Sequence, residues 1–237
     1  MNNFSSSPER RQVQDVTVVN RFLAKTYGIM ALAVLVSALT AFSATTVFKA
    51  AFVSLFSNPA SSLILLFLPF VLSLVITFRA TRNPSASFIM LMIMSVAYGL
   101  VFAVIATAYT GATIATAFVS AAAVFITMAV LGTSTKRDLT NMGSYAIAAL
   151  IGLIVASVVN IFLKNPMVTY IFSYIGVIIF AILIAWNAQQ MKNIYARFAN
   201  KNTELGLAVA GALQLYLDFV NVFLYFLQIF GMGGDRR

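Results

Sequence analysis

The chain reads as an all-α, polytopic membrane protein of seven transmembrane helices, and three observations predict this. Sixty-one per cent of its 237 residues are hydrophobic and only 9% are charged, whereas a soluble domain carries about 25% charged residues to face water. The apolar residues fall into runs of about 20, the length that spans a bilayer as helix. Proline, glycine and short polar clusters separate the runs, leaving room for brief connections only.

Residues 1–25 predict a cytoplasmic tail. Ser5-Ser6-Ser7-Pro8 reads as disordered, and Val13, Val16, Val19, Leu23 and Tyr27 recur at the spacing of a short interfacial helix. The first apolar run is too long and too far inside the chain to be a cleaved signal. The transmembrane region covers 26–232, with runs at 26–48, 61–79, 85–109, 111–132, 144–163, 167–187 and 204–230, and 233–237 form a short outer tail. The third and fourth runs together are too long for one crossing, so the chain turns near Tyr109-Thr110-Gly111, with Gly111 as the expected hinge. Lys164-Asn165-Pro166 divides the fifth run from the sixth, because proline disfavours helix at the residue before it.

The formal charge of +9 reports topology rather than nucleic-acid binding. An N-terminus in the cytoplasm puts eleven of the fifteen basic residues inside, leaving Lys49, Lys164, Arg236 and Arg237 outside, as the positive-inside rule requires. The C-terminus then faces out. The partner implied by composition is the bilayer itself.

With no cysteine and no histidine, thiolate chemistry and the commonest metal ligand and proton shuttle are missing. An aspartyl intramembrane protease needs two carboxylates and a serine type needs a general base. No such constellation is present, so the chain is expected not to be an enzyme and to hold no resident cofactor. A retinal protein would need a lysine in the seventh span, which has none.

Asp218 is the sole carboxylate deep inside an apolar run. An ionised side chain there costs about 2.5–3.5 kcal/mol on insertion scales, so it must face a cavity, find a partner or take up a proton. Gln214, Asp218, Asn221, Tyr225 and Gln228 follow at steps of four, three, four and three, which places them on one helix face. Lipid would not tolerate that stripe, so the seventh helix is expected at the centre of the bundle, with Gly206 and Gly211 admitting close neighbours. Arg79, closing the second run, and Asn187, closing the sixth, are on the correct side to approach it. Arg79 has an alternative in snorkelling to the interface, Asn187 in an ordinary interfacial position after Trp186, and Asp218 in a packing hydrogen bond.

Leu215-Tyr216-Leu217-Asp218-Phe219-Val220-Asn221-Val222-Phe223-Leu224 resembles the signature of the Bax inhibitor-1 family. Phe22-Leu23-Ala24-Lys25-Thr26-Tyr27-Gly28-Ile29-Met30-Ala31, Ala129-Val130-Leu131-Gly132 with Lys136-Arg137-Asp138-Leu139, and Ile175-Gly176 extend the resemblance over nearly the whole chain. It implies a seven-helix bacterial inner-membrane protein whose last helix lies between two helical triplets. It further implies a pH-sensitive calcium leak in which carboxylates on the sixth and seventh helices pair and an arginine ending the second helix latches to them. Asp218 matches the seventh-helix carboxylate and Arg79 the arginine. The sixth-helix position holds Asn187 instead of aspartate, which removes the shared-proton pair and leaves Asp218 as the one candidate ligand for a transient calcium ion, which prefers six to eight oxygens. Together with the polar stripe, the candidate pathway residues are Asp218, Arg79, Asn187, Asn221 and Gln214. A second function implied by relatives is regulation of membrane proteostasis or stress survival, with a membrane-bound ATP-dependent protease as partner engaged by the N-terminal tail.

Overall fold

The computed structural model describes residues 16–198 and 204–234. The expected disordered tail, Val13, Lys201 and the outer tail at Asp235, Arg236 and Arg237 lie outside the described residues. Eight helices follow in order: α1 (Val16–Thr45), α2 (Lys49–Ser57), α3 (Pro59–Arg79), α4 (Pro84–Ala106), α5 (Gly111–Ser134), α6 (Thr140–Leu163), α7 (Pro166–Phe198) and α8 (Glu204–Gly234). All except α2 are long and apolar enough to cross a membrane, and the exposed surface of the bundle is rich in Leu, Ile, Val and Phe, as lipid contact requires.

Local chemistry sets the helix starts. Three of them are Asn-Pro pairs, with proline at the first helical position, where its missing amide costs nothing. Asn58 accepts from the Ala60 amide at 2.9 Å, Asn83 from Ala86 at 3.2 Å and Asn165 from Met167 at 3.0 Å, satisfying amides that no helical carbonyl reaches. The turn before α5 differs from expectation. Thr110 caps the helix by accepting from the Thr113 amide at 3.2 Å, while Gly111 already lies inside α5 with open space around its Cβ position. The hydroxyl cap makes the turn, and the glycine is not its hinge. The α6–α7 turn is as tight as expected. Lys164 adopts the left-handed conformation (φ 51°), and Asn160 ties the turn by donating to the Asn165 carbonyl at 3.2 Å and the Thr169 hydroxyl at 2.8 Å.

Of the residues expected on a short interfacial helix, Val16, Val19, Leu23 and Tyr27 belong to α1, which runs unbroken from Val16 to Thr45. A short helix lies at the other end of the bundle as α2, where Phe52 packs against Ala44 and Ala103. The helix of the sixth run extends past residue 187, since α7 continues to Phe198.

Within the bundle α4 packs on both α1 and α3, and α7 packs on both α5 and α6. Each triplet therefore places its third helix against its first two, and alternate crossing makes the two triplets run in opposite senses. Helix α8 packs against α1, α3, α4, α5 and α7 and is the most buried span, the central position expected for it. Glycines admit the close crossings. A Cβ on Gly132 would collide with the Ala185 backbone, one on Gly206 with Ala80, and one on Gly211 with Met191.

Candidate functional site on the central helix

Helix α8 has two chemically opposite faces. Tyr216, Phe219 and Phe223 meet Tyr98, Phe102, Phe118 and Phe125 of α4 and α5 edge to face, at centroid separations of 5.6–6.2 Å. Tyr216 is fully buried, its hydroxyl 2.7 Å from that of Ser37, which donates to the Ser95 carbonyl at 2.8 Å. This face anchors the helix. The apolar cleft in front of it, about 440 Å³, offers little polar chemistry.

The opposite face carries the polar residues. It is also the less covered side of the helix, with Gln214 exposed and Leu217, Asn221, Leu224, Tyr225 and Gln228 half-buried. Asp218 is the exception, only 6% exposed. Its Oδ2 accepts a hydrogen bond from Asn187 Nδ2 at 2.7 Å, and Asn187 is itself 8% exposed. The structure thus joins Asn187 and Asp218 across α7 and α8. Asn187 does not end its helix, since α7 extends eleven residues beyond it.

Beyond Asp218 the polar face runs along α7. Asn221 turns back to donate to its own Leu217 carbonyl at 2.7 Å. The Tyr225 ring occupies the space a Cβ on Gly176 would need, and Ser173 donates to Gln228 at 2.7 Å. Tyr225 and Gln228 then open on a hollow of about 530 Å³ shared with Asn160, Lys164, Asn165 and Thr169. Along α8, Asp218 therefore lies between the exposed Gln214 and the residues Tyr225 and Gln228 that border the polar hollow.

Arg79 is not brought to this pair. It is exposed at the end of α3, and no ion pair links it to Asp218. Near this end the buried residues are Ile76 of α3 and Ala80, which follows the helix and packs on Gly206. At about 1.5 Å per residue, Asp218 is about 18 Å further along α8 from that crossing, beyond the span of an arginine side chain. At the same end the one ion pair among the described residues joins Lys25 to Glu204 at 3.3 Å, and Phe22 stacks on Tyr195 with centroids 4.1 Å apart, tying together the ends of α1, α7 and α8. No group of three or more histidine, cysteine, aspartate or glutamate residues converges among the described residues.

Gln189 is a further polar residue with a structural role on α7. Its Oε1 accepts from the Leu139 amide at 2.8 Å and its Nε2 donates to the Arg137 carbonyl at 2.8 Å, clamping the α5–α6 connection onto α7. A glutamine pair near a helix end carries no signal of such a role.

Comparison with known proteins matches residues 19–235 to the family described as "Inhibitor of apoptosis-promoting Bax1". The chain is 37% identical over 218 residues to an uncharacterized membrane protein of Streptococcus pyogenes serotype M1, covering 90% of this chain and 93% of the relative. It is 36% identical over 221 residues to an uncharacterized protein of Rickettsia prowazekii, covering 92% of each. Over 222 residues it is 34% identical to the inner membrane protein YbhL of Escherichia coli, covering 92% of this chain and 94% of that one.

Proposed function

We propose, for a chain that belongs to the Bax inhibitor-1 family, that it is a cation leak pathway of a bacterial inner membrane in which Asp218 is the cation-binding group and its bond to Asn187 is the closure. The observation that carries this reading is the 2.7 Å hydrogen bond between two side chains, each less than a tenth exposed, on the polar face of the central helix. Opening requires that bond to break, which frees the carboxylate for a passing cation. A cation passing there would exchange water for the Asp218 oxygens, the amide oxygen of Asn187 and polar groups along α8. With one carboxylate and neutral neighbours, such an ion is held weakly and transiently, as conduction demands and storage does not. A proton competes with the cation for the same oxygens. Flux is therefore expected to fall as pH falls, because a protonated Asp218 carries no charge to attract the ion.

The orientation that goes with this reading has the N-terminus in the cytoplasm and the C-terminus outside. Its support is the clustering of Arg21, Lys25, Arg79, Arg82, Lys136, Arg137, Lys192 and Arg197 at one end of the bundle, against Lys49 and Lys164 at the other.

The test is calcium flux into proteoliposomes between pH 5 and 8 for the wild type, Asp218→Asn and Asn187→Asp. The reading expects flux lost in Asp218→Asn and made more strongly pH-dependent in Asn187→Asp. Undiminished flux in Asp218→Asn overturns it.

A further inference from the structure

At the basic end of the bundle a hollow of about 460 Å³ lies between the α5–α6 connection and the stretch of α7 from Gln189 to Arg197. Its size is that of a small-molecule site. Lys136 and Arg137 line it from the connection, Lys192 and Arg197 from α7, and Asp138 is the one carboxylate among them. None of the four cations forms an ion pair, since the single pair among the described residues is elsewhere. Asp138 does not neutralise them at contact range. Its Oδ1 is engaged by the Thr140 hydroxyl at 2.6 Å and the Thr140 amide at 2.9 Å, where it caps the start of α6.

The positive-inside rule accounts for basic residues on this side of the membrane. It does not account for four of them converging on one concave surface. That convergence is built by Gln189, itself 8% exposed, whose two hydrogen bonds hold the backbone of Arg137 and Leu139 against α7. Lys192 is tethered at the rim by donating to the Thr133 carbonyl at 3.0 Å. The first turn of α6 also borders the hollow through Thr140, adding the partial positive charge of a helix start.

We propose that this hollow is a binding site for a phosphate group, with Arg137 and Arg197 as its principal ligands. Arginine presents a fork that meets two phosphate oxygens at once, while lysine contributes a point charge. The phosphate comes either from the headgroup of an anionic phospholipid at the interface or from a small phosphate in solution. The proposal uses none of the residues assigned to conduction.

The experiment uses the full chain in detergent micelles, titrated with phosphatidylglycerol, with phosphatidylcholine and with inorganic phosphate. Binding is read from the heat-unfolding midpoint and from the fluorescence of Trp186, the only tryptophan, which packs against Gly143 of α6. Arg137→Gln/Arg197→Gln is expected to weaken saturable phosphatidylglycerol binding at least about tenfold, given the contribution of each basic residue near an anionic surface. The matched control Arg21→Gln/Arg82→Gln removes two exposed arginines of the same end that do not line the hollow, and is expected to change it less than about twofold. Arg137→Lys/Arg197→Lys keeps the charge and is expected to restore part of the affinity, which a merely misfolded variant would not do. Saturation by phosphatidylglycerol alone identifies the lipid headgroup as the source, and saturation by inorganic phosphate with the same loss identifies the soluble ion. Equal loss in the two arginine pairs would show a diffuse surface potential and overturn the site, as would the lack of saturable binding by either probe.

Discussion

Replacing Asn187 by leucine, Asp218 by leucine, and both together isolates the energy of the one buried hydrogen bond on which the functional reading rests. Interhelical hydrogen bonds in a membrane bundle average about 0.6 kcal/mol by double-mutant cycle and reach about 1.7. A carboxylate acceptor roughly doubles the strength of a neutral bond. The 2.7 Å separation and the burial of both side chains place this pair at the upper end, with a coupling of about 1.5 kcal/mol. Asn187→Leu leaves a buried carboxylate without its donor, at a cost of about 2 kcal/mol. For a chain of this size that lowers the unfolding midpoint by about 4–8 °C. Asp218→Leu strands only a neutral amide and removes the burden of burying a charge, so it should cost less. The double variant should be more stable than the sum of the two losses predicts. The assay is thermal unfolding in a single detergent, by circular dichroism. A coupling below about 0.5 kcal/mol, the additivity expected of independent sites, would refute the claim that Asn187 and Asp218 act as a unit.

Gly132→Ala forces α5 away from the Ala185 backbone and should cost about 1–3 kcal/mol, whereas Gly152→Ala, whose Cβ meets open space, should stay within about 0.5 kcal/mol; the same unfolding measurement compares them. Lys164→Gly should raise the midpoint by about 2–4 °C, because glycine adopts φ 51° without the roughly 1 kcal/mol that a side chain costs there. The Thr140 hydroxyl and then its amide, with help from the Arg197 charge, hold the Asp138 carboxyl below the usual carboxylate range. A depressed value means that its capping contribution is complete above about pH 4 and is lost as pH falls through the folded value. Hydrogen exchange at the start of α6 should therefore be unchanged by this group from pH 7 to 5 and accelerate only in stronger acid. Single cysteines introduced at Arg82 and Lys164 into the naturally cysteine-free chain should be labelled from opposite sides of the membrane, Arg82→Cys from the cytoplasmic side.

Much of this protein is legible locally. Apolar runs of bilayer length, interrupted by Asn-Pro pairs at 58, 83 and 165, specify where helices stop and start, because backbone amides in lipid must be bonded within their own segment. The four-three spacing from Gln214 to Gln228 specifies a polar face, since side chains three and four residues apart project together, and that face forces the seventh span inward. The position of Asn187 opposite Asp218 is a different kind of fact. It depends on how α7 packs against α5 and α8, which approach it closely at Gly132, Gly176 and Gly211. Arg79 shows the same limit from the other side. Sequence places it at the correct end of its helix, but the crossing of Ala80 on Gly206 aims it outward, leaving Asp218 about three turns away. Periodicity and chain punctuation act within one helix and are written along it. Register and rotation between helices arise from packing of residues far apart in the chain, and only the folded bundle decides them.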